Sequence, residues 1–441
     1  MGSGIGGSTS LYGAALLRPS PDDFHPGRAY GRRLDRSVWD WPVSYEQLAP
    51  YYQQAEELYH VAADILDDPS PIPRSSARSC DSPLPLAPIN QQVMTRCRRA
   101  GLNPFRLPLA IQAADCLRCS HCAGFSCPTG ARRDAALLLQ EAVAARAPVT
   151  VLSGREVSRI VRNGRRVEYV EVKNRVSDRV EVYRADRYVI AAGAIGTPCI
   201  LQRSGLEHPV LGRNYMMHYS PLVAGVFSKA TQAHSSFVKQ IGFADFYFGT
   251  PELSEKMGLV QSLPAPGPLM LRKSGLRYVP AALLNLLRRH LLPFVGIVED
   301  LPNPQNSVST GKRGGVRIRH QFSEFDRKRG AALTRAMRTM LRTSGAVHTV
   351  AKEIPAAEHV AHQCGTARFG RNPKHAVVDQ DCRLFQYPEV FVVDGSILPT
   401  SLGVGPSLTL MANALRVCDV LKREIRCASR PAIPEGVTQS L

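Results

Sequence analysis

Val390-Phe391-Val392-Val393-Asp394-Gly395, with the Pro/Thr/Ser/Gly loop after it and then Gly405-Pro406-Ser407-Leu408-Thr409, organises the chain around itself. The opening four residues are β-branched or aromatic and run into Asp394-Gly395. That is the pattern of a short buried parallel strand with a carboxylate at its C-terminal tip. Ligands of open α/β sheets sit at such tips. Past the loop, apolar residues recur at Leu408, Met411, Leu415, Cys418 and Leu421, which predicts a helix with one buried face. Pro406 suits its first position and Gly405 its N-cap. A strand tip and a helix N-terminus therefore converge. The helix end carries unsatisfied N–H groups and partial positive charge, a seat for an anion.

Upstream, His362 opens an H-x-x-G-T-x-R-x-G run that ends at Gly370, and Val377-Val378-Asp379 follows. Together with V-V-D-G-S-x-x-P and G-P-S-L-T, this series resembles the C-terminal signature of the glucose–methanol–choline (GMC) family of flavin oxidoreductases. The resemblance implies that the helix N-terminus lies under the flavin N1–C2=O edge. It implies that His362 faces flavin N5 and takes the substrate hydroxyl proton, and that Asp394, Gly395, Pro406 and Ser407 belong to the cofactor site. The family's second catalytic group is a His or Asn immediately before Pro, and here that position is Gly405. Glycine has no side chain to bond a substrate hydroxyl, a loss on the order of ten- to a thousand-fold in rate.

Met1 to Gly13, MGSGIGGSTSLYG, is a glycine loop that alone says little. Beside the C-terminal motif, Ser3 to Thr9 is similar to the GMC loop that runs along flavin and pyrophosphate. Gly4, Gly6, Gly7, Ser8 and Thr9 are assigned to cofactor binding on that basis, with Tyr12 at the family's Asn. The glycines allow close backbone approach and positive φ. Leu11 stands where covalently flavinylated members carry His, so FAD is expected to be non-covalent. In the family a Rossmann unit with G-x-G-x-x-G precedes this loop by roughly sixty residues. The expectation is an N-terminally truncated member of the bacterial choline-dehydrogenase-like type.

The 441 residues suffice for a large core and two domains. Hydrophobic content of 44% and charged content of 21% are those of a globular protein. The net charge of +18 is high, but the Arg pairs are scattered without interleaved aromatics, which argues against nucleic acid. No basic-then-apolar leader opens the chain and no run of eighteen apolar residues occurs. Eleven cysteines in so long a chain read as reduced thiols, which points to the cytoplasm.

Ser44, with Gln47 in capping-box position, predicts a helix that buries Leu48, Tyr51, Tyr52, Ala55 and Leu58. Asp67 to Pro88 reads as a loop or lid. Cys116, Cys119, Cys122 and Cys127 have nearly the spacing of a ferredoxin run; an iron–sulfur cluster, a zinc site using His121 and a turn-rich loop of packed thiols compete. The resemblance favours the thiol loop. Ala131 to Ala147 reads as helix. An alternating stretch from Val149 to Tyr183, turning at Asn163-Gly164, predicts a β-meander. Its first turn, near Val157, packs on the adenine in the family. Tyr188 to Pro198 is a strand running into a glycine turn, similar to the second FAD signature A-G-A-x-x-[ST]-P, which assigns Ala192 and Gly193 to the cofactor. His218 ends a G-R-N-x-x-x-H element and is expected to be structural; His359 and His375 are expected to be bystanders. Ala281 to Val298 predicts a helix covering the active site, with a membrane-surface or redox-partner contact as the alternative.

The expected fold is α/β (α+β), an FAD-binding α/β domain with a substrate domain built on an antiparallel sheet. The FAD domain takes 1–18, 110–211 and 356–427; a helical cap takes 19–109, the substrate domain 212–355 and a tail 428–441. The expected activity is FAD-dependent oxidation of a CH–OH group in an alcohol or sugar-like substrate, with His362 as base and the electron acceptor left open. An inactive relative that serves as an accessory binder is the alternative, prompted by Gly405 and the missing phosphate loop.

Overall fold

The computed structural model describes residues 2, 4–63, 72–73, 82–311, 314–355, 358 and 362–428. Ser3, His359, much of the Asp67–Pro88 loop and nearly all of the tail lie outside the described residues. Val390–Val392 is a strand, each residue fully buried, and it pairs in parallel with Tyr188–Ile190. Both strands lead into loops at the same end. Asp394 joins those loops: one carboxylate oxygen accepts from the Gly193 N–H (3.0 Å) and the Thr197 hydroxyl (2.5 Å), the other from the Ser396 N–H (2.8 Å). Gly193, at φ +77°, starts the helix Gly193–Arg203 from a conformation that disfavours a side chain.

The helix expected after the loop spans Ser407–Ala428. The Leu410 N–H donates to the Pro406 carbonyl (3.0 Å), so Pro406 is the N-cap, and the expectation of Gly405 there is corrected by one residue. Its fully buried side is Leu408, Ala412, Val417 and Val420; Met411, Leu415 and Leu421 are partly covered and Cys418 is exposed, against expectation. The reason is its neighbour. The helix lies on Tyr45–Leu58, where the Tyr52 hydroxyl meets Thr409 Oγ1 (2.9 Å) and the Tyr51 hydroxyl donates to Asp419 (3.2 Å). That partner helix has the Ser44/Gln47 capping box and buries Leu48, Tyr52 and Ala55, while Leu58 is 44% exposed. Its Glu56 is buried in an ion pair with Arg18 (2.7 Å).

The meander consists of Arg155–Asn163, Arg166–Asn174 and Val180–Tyr183, turning at Gly164-Arg165. Val149 to Leu152, expected to begin it, joins no ladder, and Val149, Val151 and Leu152 are 43–47% exposed. Strand pairing rather than alternation decides such a segment. The expected helix of Ala131 to Ala147 is shorter, Ala135–Ala144, and is capped by Asp134.

A six-stranded sheet forms the second body, in the order Pro104–Arg106, Ile241–Phe243, Val260–Ser262, Leu291–Gly296, Pro221–Val226 and His348–Glu353, antiparallel throughout. The helix Glu324–Thr343, capped reciprocally by Ser323 and Asp326, packs on it through Leu333, Met337 and Leu341. The single helix expected over Ala281 to Val298 is corrected. Ala281–Arg288 is helical, the chain turns at Arg289-His290, and Leu291–Gly296 is a central strand. Pro293 cannot continue a helix, and fully buried strands are apolar all round, so periodicity could not separate the two. Among the described residues two large apolar cores result, one around the parallel pair and the C-terminal helix, the other between this sheet and the Glu324–Thr343 helix, with a small third cluster of Tyr30, Leu34, Val38 and Leu301.

Candidate active site

His362 and Gly405 are neighbours: a Cβ on Gly405 would lie 3.3 Å from His362 Nε2. Backbone register brings in a second histidine. Met216 and Cys364 exchange both N–H···O=C bonds (3.0 and 2.9 Å) as an antiparallel bridge. Two residues along each chain from such a pair, side chains share a face and lie opposite one another. Those residues are His218 and His362. Their Nδ1 atoms are 2.8 Å apart and their rings nearly perpendicular, at 85°. His218 Nε2 donates to the Leu402 carbonyl (2.9 Å). His218, expected to be only structural, thus sits fully buried against the candidate base. Its signal in the sequence was its register with His362, which needs the fold to be seen.

The loops around these rings are held under strain. His362 has φ +64° and Leu402 φ +67°, left-handed values that cost a non-glycine residue about 1–2 kcal/mol. Gly395 makes room for the first. A Cβ there would fall 2.6 Å from the Gln363 carbonyl oxygen, and the Gly365 N–H donates to the Gly395 carbonyl (3.1 Å). The second is held by Glu299, whose Oε1 accepts from the Leu402 N–H (3.1 Å). Glu299 belongs to a buried charge network: its Oε2 takes bonds from Lys256 Nζ (2.6 Å) and the Tyr30 hydroxyl (2.7 Å), and Lys256 also pairs with Asp23, itself bonded to the Tyr247 hydroxyl. Burial opposes every charge there, yet the Lys256 cation holds the Glu299 carboxyl below its ordinary range. Next along the chain, burial pushes the Asp300 carboxyl up to about 6, against the bond from His320 Nε2 (2.7 Å). Asp300 also accepts from the Met217 N–H (3.0 Å), fixing the residue before His218.

Helix geometry leaves the N–H groups of Ser407, Leu408 and Thr409 without intrahelical acceptors, beside Gly405 and His362. The glycines expected to take FAD divide in two. An added Cβ on Gly4, Gly7 or Gly193 would meet nothing within 4 Å, so these backbones front open space. Ala192 and Val157 are exposed as well. A Cβ on Gly6 would instead meet Ala136 at 2.9 Å, and Thr9 donates to the Gly6 carbonyl (2.6 Å) while accepting from the Ala135 N–H (3.0 Å). Gly6 and Thr9 fasten the loop to the helix Ala135–Ala144, and Ser8 is exposed beside them. Tyr12 is fastened too, its hydroxyl donating to the Arg133 carbonyl (2.6 Å). Asp394 and Gly395 are committed to joining loops, as described above. Open glycine backbone, a helix N-terminus and a histidine are donors of the kind that fit an FAD ring and its anionic edge.

Cys116, Cys119, Cys122 and Cys127 line one narrow crevice with Ile111, Arg132 and Phe237. Among the described residues no three His, Cys, Asp or Glu side chains converge closely enough to hold a metal ion. Arg132 ties this loop to the N-terminal one by donating to the carbonyls of Tyr12 (3.1 Å), Phe125 (2.8 Å), Cys122 and Ser10. The thiols are unequal. Burial pushes Cys122 up to about 11, whereas at Cys127 the burial penalty is outweighed by the Arg132 and Thr129 N–H groups and the Thr129 hydroxyl, which hold it below the ordinary thiol range. His375 lies on an exposed turn. Among the described residues no helix is long and apolar enough to cross a membrane.

Two family models, both described as GMC oxidoreductase, match the chain, one over residues 1–220 and the other over 302–414. The chain is similar to paromamine 6'-oxidase of Streptomyces fradiae, 28% identical over 94% of this chain and 77% of that protein. It is similar to 2-methyl-1,2-propanediol dehydrogenase of Mycolicibacterium austroafricanum, 25% identical over 95% and 80%. Among solved structures, pyridoxine 4-oxidase from Mesorbium loti superposes with a TM-score of 0.63 at 20% identity, covering 94% of this chain and 83% of that one. An FAD-dependent oxidoreductase from Chaetomium thermophilum superposes with a TM-score of 0.61 at 17% identity, covering 95% and 86%.

Proposed function

The chain belongs to the GMC oxidoreductase family, and from that premise we propose that it oxidises the CH–OH group of a polar alcohol or sugar-like compound with non-covalent FAD, using His362 as general base. The observation that carries this reading is the seat of His362. Its Nδ1 is bound to His218 and its Nε2 side borders Gly405 and the N-terminus of the Ser407–Ala428 helix. FAD, when bound, supplies the hydride acceptor.

The protein's own groups then have separate tasks. His362 Nε2 takes the hydroxyl proton as the C–H bond is broken, a task suited to an imidazole whose ordinary pKa is about 6.5. The N–H groups of Ser407, Leu408 and Thr409 offer fixed positive potential to an anionic ring edge. Gly4, Gly7, Val157, Ala192 and Gly193 leave a strip of surface for the cofactor, and Ser8 stands beside it. Gly405 leaves open the place where a second hydrogen-bonding side chain would stand, which also gives room next to the base for a substituted carbinol.

Support for the substrate class comes from the relatives. Similar proteins are an oxidase of paromamine, a dehydrogenase of a propanediol and an oxidase of pyridoxine, hydroxyl compounds of different skeletons. The test is to load the purified protein with FAD, remove oxygen and add a panel of diols, amino sugars and hydroxymethyl heterocycles. A member of the panel should yield its aldehyde or ketone in one equivalent per flavin. FAD-loaded protein that yields no carbonyl from any of them would sink the proposal.

A further inference from the structure

We propose that His218 is the positioning residue of this site, and that it holds the neutral His362 ring in the one tautomer able to act. The inference rests on the reading of His362 as base. The Leu402 carbonyl can only accept, so His218 Nε2, 2.9 Å from it, carries a proton. A neutral His218 then has its lone pair on Nδ1. The two facing Nδ1 atoms, 2.8 Å apart, need one proton between them, and it must sit on His362. With its proton on Nδ1, neutral His362 keeps its lone pair on Nε2, the atom nearest Gly405.

The opposite assignment would require a doubly protonated His218, a cation with no exposed surface. The two carboxylates on the neighbouring strand are committed to other donors. Glu299, paired with His218 across strands, gives its carboxylate to Lys256, Tyr30 and the Leu402 N–H. Asp300 gives its own to the Met217 N–H and His320. The carbonyl that starts the series is fixed as well, since Leu402 is pinned by Glu299 in its left-handed conformation. The same geometry fixes where the proton goes. When His362 Nε2 accepts the hydroxyl proton the ring becomes a cation, and its Nδ1–H bond to His218 becomes charge-assisted and stronger. His218 Nε2 already donates its proton to the Leu402 carbonyl, so the proton leaves by His362 Nε2, on the substrate side.

The experiment is nitrogen-15 NMR of histidine-labelled protein, joined to single-turnover kinetics of FAD-loaded variants. In the wild type, His362 should show a protonated Nδ1 and an unprotonated Nε2, and His218 the reverse; His362→Gln and His218→Gln assign the signals. In His218→Ala the His362 signals should move to tautomer-averaged positions. The rate of flavin reduction should fall about 10- to 100-fold, inside the range of general-base catalysis, with KM and FAD content unchanged. His218→Gln, which can donate and accept, should recover part of the rate. A wild-type His362 protonated on Nε2 overturns the proposal whatever the rates of the variants. So does a His218→Ala protein that keeps the wild-type rate, or loses rate only in step with its FAD. If instead His362→Ala reduces flavin at the wild-type rate, the base assignment fails while the tautomer result stands by itself.

Discussion

Gly395→Ala should slow catalysis without touching a reacting group. The new Cβ would stand 2.6 Å from the Gln363 carbonyl oxygen, about 0.7 Å inside an ordinary carbon–oxygen contact. That oxygen is main chain and cannot swing aside, and Gln363 follows His362 directly. The His362–Gly365 segment must therefore move by several tenths of an ångström, and the base with it. If a 1 Å misplacement costs about 10²-fold, a shift of about 0.6–0.7 Å costs on the order of 15- to 25-fold in the reductive step. Overpacking a site this tight should also destabilise by about 1–3 kcal/mol. Stopped-flow reduction of bound FAD, with a thermal melt on the same sample, reads both. A variant that melts lower but reduces flavin within twofold of wild type would refute the reasoning, because the base would then be independent of the loop that Gly395 admits.

Asp300→Asn should flatten the pH dependence of stability. With the carboxyl raised by burial to about 6 from an ordinary 3.8, the native state holds its proton more tightly than the unfolded one. Wild-type stability from this group is therefore full below about pH 4, declines as pH rises towards 6 and is lower by about 3 kcal/mol above that; parallel denaturation profiles of the two proteins between pH 4.5 and 7.5 would contradict it. Glu56→Ala leaves the Arg18 cation buried without its carboxylate and should cost about 3–5 kcal/mol in urea unfolding, whereas an exposed pair would cost under about 1. Of the four crevice thiols, Cys127 should alkylate first with iodoacetamide near neutral pH and Cys122 last, as peptide mapping over time would show.

Much of this was legible in the sequence where local chemistry and global packing agree. Val390–Val392 is apolar on both sides and ends on an acid, so its burial, its parallel character and the turn at its tip could be read directly, while its partner Tyr188–Ile190 came only with the fold. Ser44 with Gln47 announced a helix start in the same way. Failures came where one pattern serves two structures. Ala281 to Gly296 is apolar on either side of Arg288-Arg289-His290, and only pairing with Pro221–Val226 and Val260–Ser262 makes its second half a strand. Cys418 fitted a helical stripe, but the neighbouring Tyr45–Leu58 helix selects which side is covered. His218 was invisible because its task depends on the Met216–Cys364 bridge, a contact between segments far apart in the chain.

The most direct measurement is anaerobic single-turnover reduction of bound FAD, followed at its absorbance near about 450 nm, in the wild type and in His362→Ala. With an alcohol that the wild type turns over, the band should bleach in both proteins, about 10²–10⁴-fold more slowly in the variant, with equal FAD occupancy. Equal bleaching rates, or a fully loaded wild type that stays yellow with every alcohol offered, would contradict the assignment of His362 as the base.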